Sequence, residues 1–302
     1  MTSYKINKVL IADDIEQECV DVLKQSLPAH DAVIVRSATK ITAELVEAGG
    51  KGRLRLVGRA GTGVDNIDVP AASKNGVLVM NTPRELSIGA LELSASLSRH
   101  VAQADASMKA GKWARKDYMG EEVYGRTLAV IGLGRIGREV AVRMQAFGMT
   151  VIGYDPVVSK EDAAAINIES LPLEQIWPRA DYITVHVPLI PATENLIGDE
   201  VISKCKRGVR IINVARGGIV DEAALLTGLE DGRVGGAALD VFLEEPPKDR
   251  SLASHARVIA TPHLGASTID AQLRVASEVA ENIVALNKGT LLGVLNAKDV
   301  IA

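Results

Sequence analysis

The sequence predicts an α/β protein of two units, each built on a parallel sheet. Short runs rich in Val and Ile alternate with longer stretches of helical periodicity, the pattern of strand–helix–strand connections rather than of hairpins. The alternation occurs twice, on either side of one long helical stretch. With 302 residues, 47% of them hydrophobic, the chain is long enough to bury two ordinary cores.

The first series reads as a strand from Lys8 to Ala12, a helix with Ile15, Cys19, Val22 and Leu23 on one face, and a strand from Ala32 to Arg36. A helix from Thr42 and strands at Leu54 to Val57 and Val77 to Met80 complete it. A single long helix is expected from about Leu86 to Gly111. The second series begins at Thr127, with strands at Leu128 to Ile131, Thr150 to Tyr154, Tyr182 to Val187, Arg210 to Val214, Ala237 to Val241 and Val258 to Ala260. In the tail from Thr268, Leu273, Val275, Val279, Ile283 and Leu286 recur at near-helical spacing, which predicts a last helix returning to the first unit.

Charge and composition exclude several classes. The 34 basic and 38 acidic residues leave a formal charge of −4, which argues against wholesale binding to nucleic acid or to an anionic membrane. No apolar run reaches membrane-spanning length and Met1 to Lys8 is polar, so a soluble cytoplasmic protein is expected. The two cysteines, Cys19 and Cys205, make no disulfide framework and are expected as buried thiols without chemistry. No His or Cys cluster has ligand spacing, so no metal site is predicted, and no nucleophile elbow supports a serine hydrolase.

The strand Leu128-Ala129-Val130-Ile131 runs directly into Gly132-Leu133-Gly134-Arg135-Ile136-Gly137, and Ile136, Val140, Met144 and Phe147 then mark a helix ending at Gly148. That context is what a dinucleotide fingerprint requires. Gly132 permits the tight turn, Gly134 lets backbone N–H groups approach a pyrophosphate, and Gly137 lets the helix pack close to the strand with its positive end toward the phosphates. The next strand ends at Asp155, whose carboxylate can accept from a ribose 2′-hydroxyl and would repel a 2′-phosphate; NAD is therefore favoured over NADP.

Three polar groups stand at the ends of later strands, where open α/β sheets bind ligands: Arg216, Glu245 and His263. Arg216 projects beside Gly217-Gly218, and its planar fork suits a carboxylate. His263 can take the proton of a hydroxyl as hydride leaves the same carbon, and Glu245 can hydrogen-bond the imidazole and favour its charged form. Taken singly, each is better explained by a structural histidine, a solvated acidic turn or a surface arginine. Their coincidence behind a dinucleotide loop is what points to catalysis. His186, which ends an apolar strand, is expected to line the cofactor crevice without a catalytic role.

These residues are recognisable together. Gly132 to Gly137, His186 to Leu189, Asn213 to Asp221, Ala238 to Phe242 with Glu245-Pro246, and Pro262 to Ser267 resemble the D-2-hydroxyacid dehydrogenases, over nearly the whole chain. The resemblance implies two doubly wound parallel-sheet domains. A Rossmann-type NAD-binding domain, residues 84–267, would be inserted in a smaller flavodoxin-like substrate domain formed by 1–83 and 268–302. Within the family, Val35 to Lys40, Gly58 to Asn66, Ser107 to Lys109, Gly111 to Trp113 and Phe147 to Met149 look like the animal form of the branch that oxidises 3-phosphoglycerate to 3-phosphohydroxypyruvate with NAD, the first step of serine biosynthesis.

Carried over position by position, the resemblance implies that Arg216 holds the substrate carboxylate and carbonyl oxygen, that His263 is the acid/base and that Glu245 is its partner. Arg36, Ser37 and Arg59 would face the substrate, the two arginines toward its phosphate. Thr62, Arg135, Ile136, Asp155, Ala215 and Asp240 would contact NAD, and two copies would join through their NAD-binding domains. The long animal chains carry regulatory domains beyond this point; with its last residue at Ala302, no serine-sensing module is expected here.

The chain departs from the family pattern in two places. Between the first helix, ending near Gln25, and the strand at Ala32 there is room only for a connection, where the family has another strand and helix. After Asn81-Thr82-Pro83 the family has an Asn-Gly-Asn-Ser loop that touches substrate, and this chain reads Arg84-Glu85-Leu86-Ser87, with the following helix about one turn shorter. Two other readings stay open beside the first. One is a different D-2-hydroxyacid enzyme, acting on glyoxylate, hydroxypyruvate or D-lactate. The other is an impaired NAD(H)-binding dimer that serves as a sensor or interaction protein.

Overall fold

The computed structural model describes residues 4–12, 20–82 and 89–301. The chain divides into two compact units, Met1–Glu85 with Ile269–Ala302, and Leu86–Thr268.

The first unit contains β1 (Val9–Ala12), α1 (Val20–Ser26), β2 (Ala32–Val35), α2 (Ala43–Gly50), β3 (Leu56–Arg59), α3 (Val69–Lys74) and β4 (Leu78–Met80). Its sheet is parallel and runs in sequence order, β1-β2-β3-β4. Alternation along each strand separates two apolar faces. Val33, Val35, Val57 and Val79 pack with Leu23, Leu27, Leu45, Val46 and Ala72 from α1 to α3 and their connections. Ala32, Leu56, Leu78 and Met80 instead meet Val275, Val279, Ile283 and Leu286. The crossover helices thus cover one face, and the helix that returns from the end of the chain covers the other. Its expected apolar stripe is correct except at Leu273, which is 63% exposed. Side chains cap the helix starts, Thr42 Oγ1 accepting from Leu45 N and Asp68 Oδ1 from Ala71 N.

The strand expected at Leu54 to Val57 forms two residues later, because Leu54 N is still tied to Gly49 O in the turn after α2. No strand is interposed between α1 and β2, so β1 pairs only with β2 among the described residues. Val9 and Ile11 on this open edge are 38% and 72% exposed. The expected helix face at Ile15 and Cys19, and the expected loop at Arg84 to Ser87, fall outside the described residues.

The second unit begins with α4 (Gly89–Ser98) and α5 (Val101–Lys109), where the sequence predicts one helix. The correction has a local cause. Ser94 and Ser98 donate back to the carbonyls of Ala90 and Ser94, at 2.6 and 2.7 Å, and His100 then takes the left-handed conformation at φ 51°. Serine back-bonding bends helices, and a non-glycine left-handed residue ends one.

The rest of this unit is β5 (Thr127–Ile131), α6 (Arg135–Ala146), β6 (Thr150–Tyr154), α7 (Lys160–Ala164), β7 (Glu169–Ser170), α8 (Leu173–Ile176), β8 (Tyr182–Val185), α9 (Asp199–Lys204), β9 (Val209–Asn213), α10 (Glu222–Glu230), β10 (Val234–Leu239) and β11 (Val258–Ala260). The long α11 (Ile269–Asn287) and the short α12 (Ala297–Val300) belong to the first unit. The sheet order is β11-β10-β9-β8-β5-β6-β7, all parallel, with the winding reversing at β5. Strands β5, β8 and β9 are buried on both faces, which is why they read as continuous apolar runs. The reversal opens a crevice at the strand ends beside β5, where the glycine loop lies. Among the described residues no helix is long and apolar enough to cross a membrane.

Candidate active site

In the second unit, β5 hands the chain to α6 through the glycine loop, and space explains each glycine. Gly132 has φ 98°, and a Cβ there would lie 2.6 Å from His186 O. A Cβ at Gly137 would lie 2.0 Å from Gly132 O, so the helix packs against the loop at a distance only glycine permits. At Gly134 a Cβ would meet nothing within 4 Å, so that glycine leaves open room at the helix N-terminus rather than filling it. Arg135 stands exposed in the first turn, and Ile136 packs into the core below. Backbone N–H groups at this end of the twelve-residue α6 have the geometry and dipole to hold a pyrophosphate, so the chain fits the dinucleotide that the loop implies.

Asp155 follows β6 and already shapes the loop. Its Oδ2 accepts from Leu133 N at 2.8 Å, and Oδ1 accepts from Val157 N and Val158 N at 2.8 and 3.2 Å. The carboxylate is thereby fixed at the edge of the glycine turn. His186 lies across the same turn, with Nε2 3.0 Å from Thr184 Oγ1, and loss of water around the ring pushes its pKa down to about 4. It is a neutral imidazole at pH 7, which accords with a lining role.

Arg216 sits in a turn that Asn213 builds. Asn213 is buried at the end of β9, where its Oδ1 accepts from Ala215 N at 3.0 Å and its Nδ2 donates to Arg216 O at 2.8 Å. The Arg216 Nη1 donates to Ala215 O at 2.6 Å. Gly217 passes so close to the neighbouring strand end that a Cβ would lie 1.9 Å from Phe242 O.

His263 and Glu245 meet directly. Nδ1 of His263 is 2.8 Å from Glu245 Oε2, while Glu245 Oε1 accepts from Phe242 N at 3.1 Å. Both side chains are part exposed, at 47% and 39%. A cavity of about 500 Å³ opens beside the pair, walled by Phe242, Pro246, Thr261 and the pair itself, with Arg250 at its margin. Asp240, placed against NAD by the resemblance, is 1% exposed and accepts from Leu264 N and Gly265 N, each at 2.7 Å.

The remaining predicted residues lie in the first unit. Arg36 and exposed Ser37 follow β2, in a loop fastened by Asn66, whose Nδ2 donates to Arg36 O and Thr39 O at 2.8 and 2.7 Å. Arg59 ends β3 and lies over Gly61, where a Cβ would fall 1.2 Å from its Nη1. Gly61 N donates to Thr82 Oγ1 at 2.7 Å, and Asn81 Nδ2 to Thr62 O at 2.7 Å. Asn66, Asn81, Thr82 and Asn213 are supporting residues that sequence reasoning missed as such. Asn66 and Asn213 stand inside motifs it quoted, but an asparagine's backbone partners carry no sequence pattern.

Among the described residues no three His, Cys, Asp or Glu side chains stand together to hold a metal ion. The Cys205 thiol donates to Val201 O at 3.2 Å and burial pushes its pKa up to about 12, so it is an inert packing group.

Comparison with known proteins agrees with this geometry. Residues 91–265 match the family model described as D-isomer specific 2-hydroxyacid dehydrogenase, NAD binding domain. A D-3-phosphoglycerate dehydrogenase of Rattus norvegicus is 51% identical over 321 residues, covering 99% of this chain and 60% of the relative. That of Bacillus subtilis is 50% identical over 295 residues, covering 96% of this chain and 56% of the relative. The chain therefore spans about three fifths of the length of the relatives it matches. Among solved structures, a glyoxylate reductase from Paecilomyes thermophila superposes with a TM-score of 0.83 at 27% identity, covering 96% of this chain and 98% of that one. The glycine loop, the reversed sheet and the His263–Glu245 pair thus have a common explanation: the chain belongs to the D-isomer specific 2-hydroxyacid dehydrogenase family and carries its NAD-binding domain.

Proposed function

We propose that the chain oxidises 3-phosphoglycerate to 3-phosphohydroxypyruvate with NAD, the first step of serine biosynthesis. The observation that carries this reading is the His263–Glu245 contact of 2.8 Å at the strand ends of an NAD-binding unit, in a chain half identical to D-3-phosphoglycerate dehydrogenases. NAD supplies the hydride acceptor for C2 of the substrate. Gly132, Gly134 and Gly137 give the pyrophosphate access to backbone N–H groups, with Arg135 and Ile136 in the same turn. Asp155 receives the ribose hydroxyls, and Thr62, Ala215 and Asp240 complete the assigned set.

The chain's own groups move the proton. Nδ1 of His263 donates to the Glu245 carboxylate, which leaves Nε2 as the basic nitrogen facing away from that pair. This tautomer is assigned from the hydrogen bond. Nε2 takes the C2 hydroxyl proton as the carbonyl forms, and the imidazolium so produced is held against Glu245. The Arg216 guanidinium holds the substrate carboxylate through paired N–H donors and orients C2.

The phosphate end falls to Arg36 and Arg59, with Ser37 as an uncharged donor. Each charge-assisted hydrogen bond to phosphate contributes on the order of 1.5–3 kcal/mol, or about tenfold or more in affinity. The kcat/KM for 3-phosphoglycerate is therefore expected to exceed that for D-glycerate by at least about tenfold, and Arg59→Ala to remove most of the difference. Arg84 to Ser87 replace the family's Asn-Gly-Asn-Ser loop, so the absolute rate is expected to be reduced. Equal values for the two substrates would sink the phosphate assignment. NADH binding without turnover of either would favour the non-enzymatic dimer.

The same reading includes a homodimer joined through the NAD-binding units. Val101, Met108, Trp113, Met119, Tyr124 and Phe147 of that unit are each at least half exposed, with Trp113 at 81% and Met119 at 83%, apolar side chains that the reading assigns to a second copy. Light scattering is expected to give about twice the 32.0 kDa chain mass, and Trp113→Glu with Met119→Glu to halve it. An unchanged mass in the double variant would move the interface elsewhere. Cytoplasmic residence belongs to the same reading, and cell fractionation reads it.

A further inference from the structure

The cavity of about 500 Å³ beside His263 and Glu245 is formed by the end of β10, the loop that follows it and the end of β11. Neither Arg216, Ala215 nor any residue of the glycine loop lines it. It therefore touches the acid/base pair but not the groups assigned to the substrate carboxylate or to the pyrophosphate. Phe242, Pro246, Pro247, Ala253 and Ala260 make its interior mainly apolar. Ala260 ends the edge strand β11 with its side chain exposed, whereas Val258 and Ile259 before it are buried. The small side chain at that end leaves the space open.

One charge stands at this apolar space without a counter-ion. Around it, Glu244 pairs with Lys248, Glu245 with His263, and Asp249 Oδ1 accepts from Ser251 N and Ser251 Oγ at 2.8 and 2.6 Å. Arg250, which lines the cavity and is exposed, meets no carboxylate among the described residues. A guanidinium beside an apolar hollow suits a ligand with one carboxylate and an apolar body. A neutral ligand would leave the cation unanswered, and a small hydrophilic anion would leave the apolar walls in water. The volume falls within the range of about 300–1,000 Å³ typical of small-molecule sites.

We propose that this cavity is a second ligand site, which takes a small monocarboxylic acid with an aromatic or branched apolar body. The carboxylate lies on Arg250 and the body against Phe242, Pro246 and Ala260. The site does not depend on which 2-hydroxy acid the chain oxidises. Because it leaves Arg216 and the glycine loop open, the acid binds together with NADH and with substrate. Its occupancy reaches the chemistry through Glu245, which belongs both to the cavity wall and, through Oε2, to the contact of 2.8 Å with His263 Nδ1. An occupant crowds the carboxylate that orients the imidazole, so it lowers kcat and leaves the KM for substrate unchanged.

Phenylacetate, titrated into the chain saturated with NADH and followed by ligand-observed NMR, tests the site. A Kd on the order of 1–10 mM is expected, as ordinary ligand efficiency gives for so small a molecule. Arg250→Ala, or replacement of phenylacetate by phenylacetamide, is expected to weaken binding by about tenfold or more, through loss of the charge-assisted bond. Acetate, which has the carboxylate without the body, is expected to bind at least about tenfold more weakly than phenylacetate. Ala260→Phe is expected to abolish binding with the parental Tm kept, since the exposed side chain grows into the cavity and not into the core. Arg216→Ala is expected to leave the phenylacetate Kd within about twofold. These measurements need no turnover, so they decide the site even if 3-phosphoglycerate is not oxidised, in which case the substrate reading alone fails. Absence of phenylacetate binding, or binding unchanged in both Arg250→Ala and Ala260→Phe, would overturn the proposal. So would loss of binding in Arg216→Ala or inhibition competitive with 3-phosphoglycerate, either of which would place the acid on the substrate-carboxylate group instead.

Discussion

His263→Gln is expected to lower kcat by about a hundred- to ten-thousand-fold while leaving the NADH Kd within a few fold, because the lost group moves a proton and contributes little to holding the dinucleotide. Glutamine fills much of the volume and keeps a polar end near Glu245, so the variant removes the titratable nitrogen with limited disturbance of the turn. The geometry makes the effect asymmetric. Glu245 touches the imidazole through one oxygen and Phe242 N through the other, so Glu245→Gln is expected to cost less than His263→Gln, as an orienting partner does. Single-turnover NADH formation, with cofactor binding followed by fluorescence on the same samples, separates the two quantities. Turnover close to the parent in His263→Gln would remove His263 from the proton transfer.

Much of this site was legible in the sequence because its signals are local. A strand, three glycines at fixed spacing and an amphipathic helix occupy consecutive residues, so Gly132, Gly134 and Gly137 could be assigned without any distant contact. The histidine, the acid and the arginine were legible as a set, each at a strand end in a chain already read as binding a dinucleotide. The supports were not legible. Asn213, Asn66 and Asp240 act through bonds to backbone groups 2 to 30 residues away, and those partners carry no side-chain signature. The break at His100 was hidden for a related reason: helical periodicity continues through Ser94 and Ser98, and only their hydrogen bonds to preceding carbonyls reveal the bend.

The first unit shows the limit of periodicity in another way. Each strand of its sheet was recognisable, yet strand order depends on what lies between strands. With only a short turn between α1 and β2, no strand lies outside β1 in this sheet among the described residues. The alignment to the rat relative extends over 321 residues although this chain has 302, so the relative has positions with no counterpart here. Val9 and Ile11 are consequently exposed at an open, apolar edge, of a kind that proteins usually cover or charge.

Gly137→Ala is expected to raise the NADH Kd by at least about a hundredfold and to destabilise the second unit by about 1–3 kcal/mol. The added Cβ would lie 2.0 Å from Gly132 O, and the obstacle is backbone rather than a flexible side chain. The turn cannot easily retreat. Gly132 is itself confined at φ 98° and pressed against His186 O, where even a Cβ would come within 2.6 Å. The helix must therefore lift off β5, which carries its first N–H groups away from the phosphates; each charge-assisted bond lost there costs about 1.5–3 kcal/mol. Gly134→Ala is the informative control, since its Cβ meets nothing within 4 Å and the fold has no reason to move. That variant is expected to keep the parental Tm and still bind NADH more weakly, because the methyl group occupies the room left for the pyrophosphate. If Gly134→Ala bound NADH like the parent, the phosphates would have to lie elsewhere. If Gly137→Ala kept both its Tm and its affinity, helix α6 would not owe its placement to that glycine.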